Sequence, residues 1–106
     1  MNNEIYTILV FEQLEKNDHG FPDFGCQRLV GYYFDKDNAF DAVKNNCLDI
    51  NESCYDYALI EKVEEGLYRP AIKHERWLFK YDRANCIYKE ILEPEFMNHL
   101  CGLTIG

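Results

Sequence analysis

Apolar positions fall into short blocks of alternating or continuous character, interrupted by one segment with a helical period. Glu4 to Leu14 is rich in β-branched and aromatic residues. Its two alternating sets, Ile5/Leu9/Phe11 and Tyr6/Ile8/Val10, are both apolar, which implies a strand covered on both faces at least in its first half. From Glu15 to Gln27 the turn formers Asn17, Asp18, Gly20, Pro22, Asp23 and Gly25 are so dense that no regular element is expected there. Arg28 to Phe34 reads as a second strand, paired with the first as a hairpin, and Gly31 inside it implies a bulge or a close approach to the backbone.

The period then changes. Asp35 is placed to cap a helix starting at Lys36, with Asp37 in the first turn, where the helix dipole favours a negative charge. Ala39, Phe40, Val43, Cys47 and Ile50 lie on one stripe and Asp37, Asp41 and Lys44 oppose it, so one face packs on a sheet and the exposed face is acidic. Asn51, Glu52 and Ser53 break the pattern before a third strand from Tyr55 to about Glu64, closed by Glu65-Gly66. Leu67 to Lys73 contains Pro70 and is compatible with either an edge strand or a loop.

His74 to Tyr81 alternates, with Glu75, Trp77, Phe79 and Tyr81 on the side expected to face the core and His74, Arg76, Leu78 and Lys80 on the other. Asp82 to Asn85 supplies turn chemistry before a strand from Cys86 to Leu92. Pro94 suits the first turn of a closing helix with Phe96, Met97, Leu100 and Cys101 as its stripe and Gly102 as its end. The order β-β-α-β-β-β-α predicts an α+β fold: a mainly antiparallel sheet of five strands with two helices packed on one face.

The chain has 106 residues, 47% of them hydrophobic, with 8 Tyr, 7 Phe and 1 Trp. That length buries roughly two-thirds of the surface of the unfolded chain, enough for one core, so a single domain over residues 1–106 is expected. Cys26, Cys47, Cys54, Cys86 and Cys101 are odd in number, and no two have the C-x-x-C spacing of a zinc site, which fits reduced and mostly buried thiols. With no basic stretch leading into an apolar run at the amino terminus, and no apolar run near the roughly 20 residues that span a bilayer, a cytoplasmic location and no membrane contact are expected.

The formal charge is −8, from 19 acidic and 11 basic residues, and it is uneven: −9 over residues 1–65, +3 over 66–83 and −2 over 84–106. A net negative field repels phosphate backbones, so generic nucleic-acid binding is disfavoured unless Arg69, Lys73, Arg76, Lys80 and Arg83 gather on one surface. Within 67–83 the bases interleave with Tyr68, Trp77, Phe79 and Tyr81, the composition of a site for an anionic, ring-containing ligand. The competing reading is a core strand whose basic face pairs with neighbouring acids.

Phosphate-binding glycine loops, the serine elbow and the HExxH metal helix are absent, so no catalytic residue, metal or cofactor is assigned. His19, His74 and His99 sit in three separate elements. Glu61, Glu64 and Glu65 cluster at a strand exit, where acids are usually solvated, and Cys54 acts as a nucleophile only with a histidine beside it. Phe21 and Phe24 flank Pro22 in the long connection, either folded back on the domain or presented to a partner.

Three runs carry a resemblance: Gly31-Tyr32-Tyr33-Phe34-Asp35 before the helix, Tyr57-Ala58-Leu59-Ile60-Glu61 with Glu65-Gly66-Leu67-Tyr68 after it, and Glu75-Arg76-Trp77-Leu78-Phe79. On these the chain resembles small uncharacterised single-domain proteins of gut Gram-positive bacteria and their mobile elements, over residues 4–92. The resemblance implies a sheet-plus-helix domain in a bacterial cytoplasm and supplies no catalytic residues. The leading expectation is an acidic binding or regulatory module that contacts a protein through the acidic helix face (Asp37, Asp41), the loop with Phe21 and Phe24, or a sheet edge that also permits homo-oligomers. The alternative is a small-molecule binder or minor enzyme that uses Arg69, Lys73, Arg76 and Trp77.

Overall fold

The β-branched and aromatic run at the start of the chain becomes the middle of a sheet. A computed structural model describes residues 4–12, 14–16, 22–23, 26–66 and 75–93. In chain order the elements are β1 (Glu4–Phe11), β2 (Leu14–Lys16), β3 (Pro22–Asp23), β4 (Gln27–Tyr33), α1 (Lys36–Lys44), a 3-10 turn (Cys47–Asp49), β5 (Tyr57–Glu64), β6 (Arg76–Asp82) and β7 (Ile87–Ile91). The main sheet has five strands in the order β4-β1-β5-β6-β7, and every neighbouring pair is antiparallel. The α+β class with an antiparallel sheet therefore holds.

Register explains why β1 is apolar on both sides. Ile8, Ile60 and Trp77 share one row across β1, β5 and β6, as do Val10, Ala58 and Phe79. Ala39 and Val43 of α1 pack on this face together with Tyr6 and Tyr88. The rings of Phe40 and Phe79 meet edge to face with centroids 5.2 Å apart. On the opposite face Leu9, Leu59 and Leu78 form a row, and with Phe11 they are also buried. Burying each such side chain contributes about 1.5–3 kcal/mol, so both faces are needed for a domain of this size.

Four expectations are corrected. The connection 15–27 is not wholly irregular: β1 stops at Phe11, and Leu14 and Lys16 pair with Asp23 and Pro22 in a two-stranded ribbon, where both strands are edges and the missing proline donor is tolerated. The helix ends at Lys44, capped by Asn45, so Cys47 and Ile50 leave its stripe. The described thiols Cys26, Cys47, Cys54 and Cys86 are exposed, because each sits in a turn or at a strand end rather than on a core-facing position. Glu61 is buried instead of solvated: it lies mid-strand opposite Thr7 and Arg76, three positions before the exit. The closing helix over 94–101 and the ambiguous segment 67–73 lie outside the described residues.

Between α1 and β5 the chain is held by polar bonds. Asn46, Leu48, Asp49, Glu52 and Ser53 all take positive φ, between 47° and 64°, in which non-glycine residues are strained. Asn51 compensates from inside. Its Nδ2 donates to Tyr55 O at 2.6 Å, its Oδ1 accepts from Ser53 N at 3.0 Å, and its backbone N–H donates to Asn46 Oδ1 at 3.0 Å. Tyr88 Oη donates to the same Tyr55 carbonyl at 2.6 Å, tying the loop to β7. Burial pushes the Tyr88 phenol pKa well up, so it remains the donor at every physiological pH.

Asp82 closes the β6–β7 hairpin. Its Oδ1 accepts from Ala84 N at 3.0 Å, and its Oδ2 accepts from Asn85 Nδ2 at 2.7 Å and pairs with Lys89 at 3.0 Å. Cys86 completes the turn at φ 57°.

Two outcomes follow from these contacts. Asn51→Ala removes one of the two donors to the Tyr55 carbonyl, which keeps Tyr88 Oη, and the acceptor of the Ser53 N–H, with an expected cost of about 1–2 kcal/mol in urea unfolding; an unchanged midpoint would show that the loop is held by other contacts. The hydrogen bonds from Asn85 and Lys89 lower the Asp82 pKa from 3.8 to about 2. A depressed folded-state value means that its contribution is complete above pH about 4 and is lost as pH falls from about 4 towards 2. Asp82→Asn is expected to remove that part of the acid-induced loss, seen as a flatter fall of the urea midpoint over this window; identical slopes in the two proteins would contradict the assignment.

Candidate interaction surface

The acidic helix face forms where expected, but the charge available on it is smaller than the sequence implies. Asp35, extended at φ −116° and ψ 126°, accepts from Asp37 N at 2.8 Å through its Oδ1 and so caps α1. Glu52 pairs with Arg28 at 2.7 Å and Asp56 with Arg83 at 2.8 Å. Asp37 and Asp41 are exposed and make no ion pair with any described residue. On the same helix Lys36 lies over the Trp77 ring with its Nζ 4.5 Å from the centroid, and Lys44 lies 5.5 Å from that of Phe40. The two lysines thus lie beside the aromatic core, and α1 carries as many cations as carboxylates.

Arg76 and Trp77 are adjacent in β6 and point to opposite faces. Trp77 joins the helix-side core beside Tyr6 and Phe40. Arg76 lies on the other face, in register with Glu61, and pairs with Glu93. Its side chain is only 11% accessible, so this side of β6 is not the wholly solvated basic face that alternation suggested. The structure does not bring Arg76 and Trp77 into one pocket. Phe21, Phe24, Arg69 and Lys73 lie outside the described residues.

Cys54 has no nucleophile-like environment. Loss of water around its sulfur raises the thiol pKa, and the carboxylates of Glu12, Glu52 and Asp56 raise it further, so the unreactive thiol form is favoured. Among the described residues no group of three or more His, Cys, Asp or Glu is placed to hold a metal ion, and no helix is long and apolar enough to cross a membrane.

Sequence reasoning missed a row of exposed apolar side chains on β4, the outermost strand on its side of the described sheet, and just past its end: Leu29, Tyr32 and Phe34 are 64%, 57% and 76% accessible. The rings of Tyr32 and Phe34 meet edge to face at 5.7 Å. Leu29 and Tyr32 are three positions apart, which in a regular strand would put them on opposite faces. A β-bulge places them together. Leu29 pairs with Leu9 and Gly31 with Ile8, leaving Val30 as the extra residue packed towards the helix-side core, so Tyr32 returns to the face of Leu29 opposite Thr7. Gly31 was the visible signal for this irregularity. A Cβ at Gly31 would meet nothing within 4 Å, so of the two expectations for this residue the bulge is found and the close approach is not.

No family model, no curated protein and no solved structure matches the chain.

Proposed function

We propose that this protein is a small acidic interaction module that works by binding another protein, with β4 and the outer face of α1 as its contact surface. The observation that carries this reading is the exposed row Leu29, Tyr32 and Phe34, which runs directly into a helix whose outward residues Asp37 and Asp41 have no cationic partner among the described residues. Aromatic and leucine side chains left in water on one strand supply binding energy when covered. Uncompensated carboxylates beside them supply orientation and a preference for a basic partner. A bacterial cytoplasmic setting is part of the same proposal, and no enzymatic step is invoked.

The test is an affinity capture from a lysate of the source cells with tagged wild-type protein and two variants, Leu29→Ser/Tyr32→Ser and Asp37→Lys/Asp41→Lys, each at low and moderate salt. A stoichiometric protein retained by the wild type, lost from the first variant and weakened in the second and by salt is the expected result. Retention of the same protein by both variants, or of no protein by the wild type, would overturn the proposal.

A further inference from the structure

The backbone of β4 is paired with β1 along one edge and has no described strand along the other. Glu12 donates its N–H to Cys26 O at 3.1 Å, which sets the phase of the β1–β4 ladder. In an antiparallel pair, bonded positions alternate with positions whose N–H and C=O point away from the partner. With Phe11 opposite Gln27 and Leu9 opposite Leu29, the peptide groups of Gln27 and Leu29 turn away from β1, and beyond the bulge those of Tyr32 opposite Thr7 do the same. No described strand lies on that side. Leu29 and Tyr32 thus offer both outward backbone groups and exposed apolar side chains.

We infer that β4 accepts an extended segment of a basic protein as a sixth strand of the main sheet, with apolar and cationic residues alternating along that segment. This rests on the interaction-module reading and specifies its partner. Strand addition takes its affinity from main-chain hydrogen bonds and its specificity from alternate side chains. An added strand sends successive side chains to opposite faces. One set falls beside Leu29, Tyr32 and Phe34 and calls for apolar residues. The other falls on the side where α1 packs, where Arg28 is already paired with Glu52 and Asp37 opens the helix that follows the strand, and calls for cations.

Charge selects against a second copy of this chain as the occupant. At a net charge of −8, joining two copies along β4 brings like fields together, whereas a basic segment is attracted.

The experiment uses the full chain and three synthetic peptides matched in length to β4: one of alternating lysine and valine, one of the same composition with the lysines and valines in two blocks, and one of alternating glutamate and valine. Amide resonances and hydrogen exchange of the protein are followed by NMR during titration, with light scattering of the protein alone. The alternating lysine peptide is expected to bind, to slow exchange at the Gln27, Leu29 and Tyr32 amides, and to lose affinity about tenfold in Asp37→Lys/Asp41→Lys, as reversal of two rim charges predicts. It is also expected to lose binding in Leu29→Lys/Tyr32→Lys, which leaves the core untouched because both side chains are exposed. Equal binding of the block peptide, without slowed exchange on β4, overturns strand addition while leaving the acidic-surface reading in place. Binding of the glutamate peptide, or no binding by any peptide, overturns the assignment of the partner's chemistry. A dimer in light scattering that is broken by Leu29→Lys/Tyr32→Lys would assign the edge to a second copy instead.

Discussion

The structure depends on β1 being paired along both of its edges. Six consecutive residues, Tyr6 to Phe11, are buried, and their peptide groups are satisfied by β4 on one side and β5 on the other. A strand buried on both faces pays for its desolvated backbone only if every N–H and C=O finds a partner. The chain must therefore return past β1 twice, first from β4 and then, by way of α1, from β5. Since β4 and β5 are both antiparallel to β1, they run parallel to each other, and the helix provides the crossover that this direction requires.

The same constraint leaves β4 and β7 as the two edges of the described sheet, and they differ in what holds them. Towards β7 the sheet is continued by antiparallel strands and tied by Asn51, Tyr55 and Tyr88, whose bonds join the loop after α1 to β7. Five residues with left-handed backbone are held in that loop, a local cost offset by the bonds of Asn51 and by the short return it allows into β5. Towards β4 nothing comparable is found among the described residues. That strand has its backbone turned outward at alternate residues and its apolar side chains in water, the combination that makes an edge receptive to another chain.

Electrostatics acts differently at the two ends. Much of the acidic excess is absorbed locally: Asp35 caps the helix, Asp82 holds a turn, and Glu52 and Asp56 answer Arg28 and Arg83. Asp37 and Asp41, which make no ion pair with a described residue, sit on the helix that follows β4. Exposed pairs of this kind contribute little to stability, so their value lies in choosing what approaches β4 rather than in holding the fold.

Much of the fold was legible in local pattern. The two apolar sets of β1, the capping aspartate before α1, the alternation of Trp77, Phe79 and Tyr81 and the turn residues after Asp82 each depend on neighbours within a few positions, and the sequence by itself determined them. The buried position of Glu61 and the exposure of the described cysteines depend on which strands lie alongside and on what each face packs against. Only the tertiary structure decided those. The clearest case is β4: RLVGYYF reads as a strand, but composition does not record that the strand lies at an edge, and a one-residue bulge at Val30 decides which of its side chains share a face.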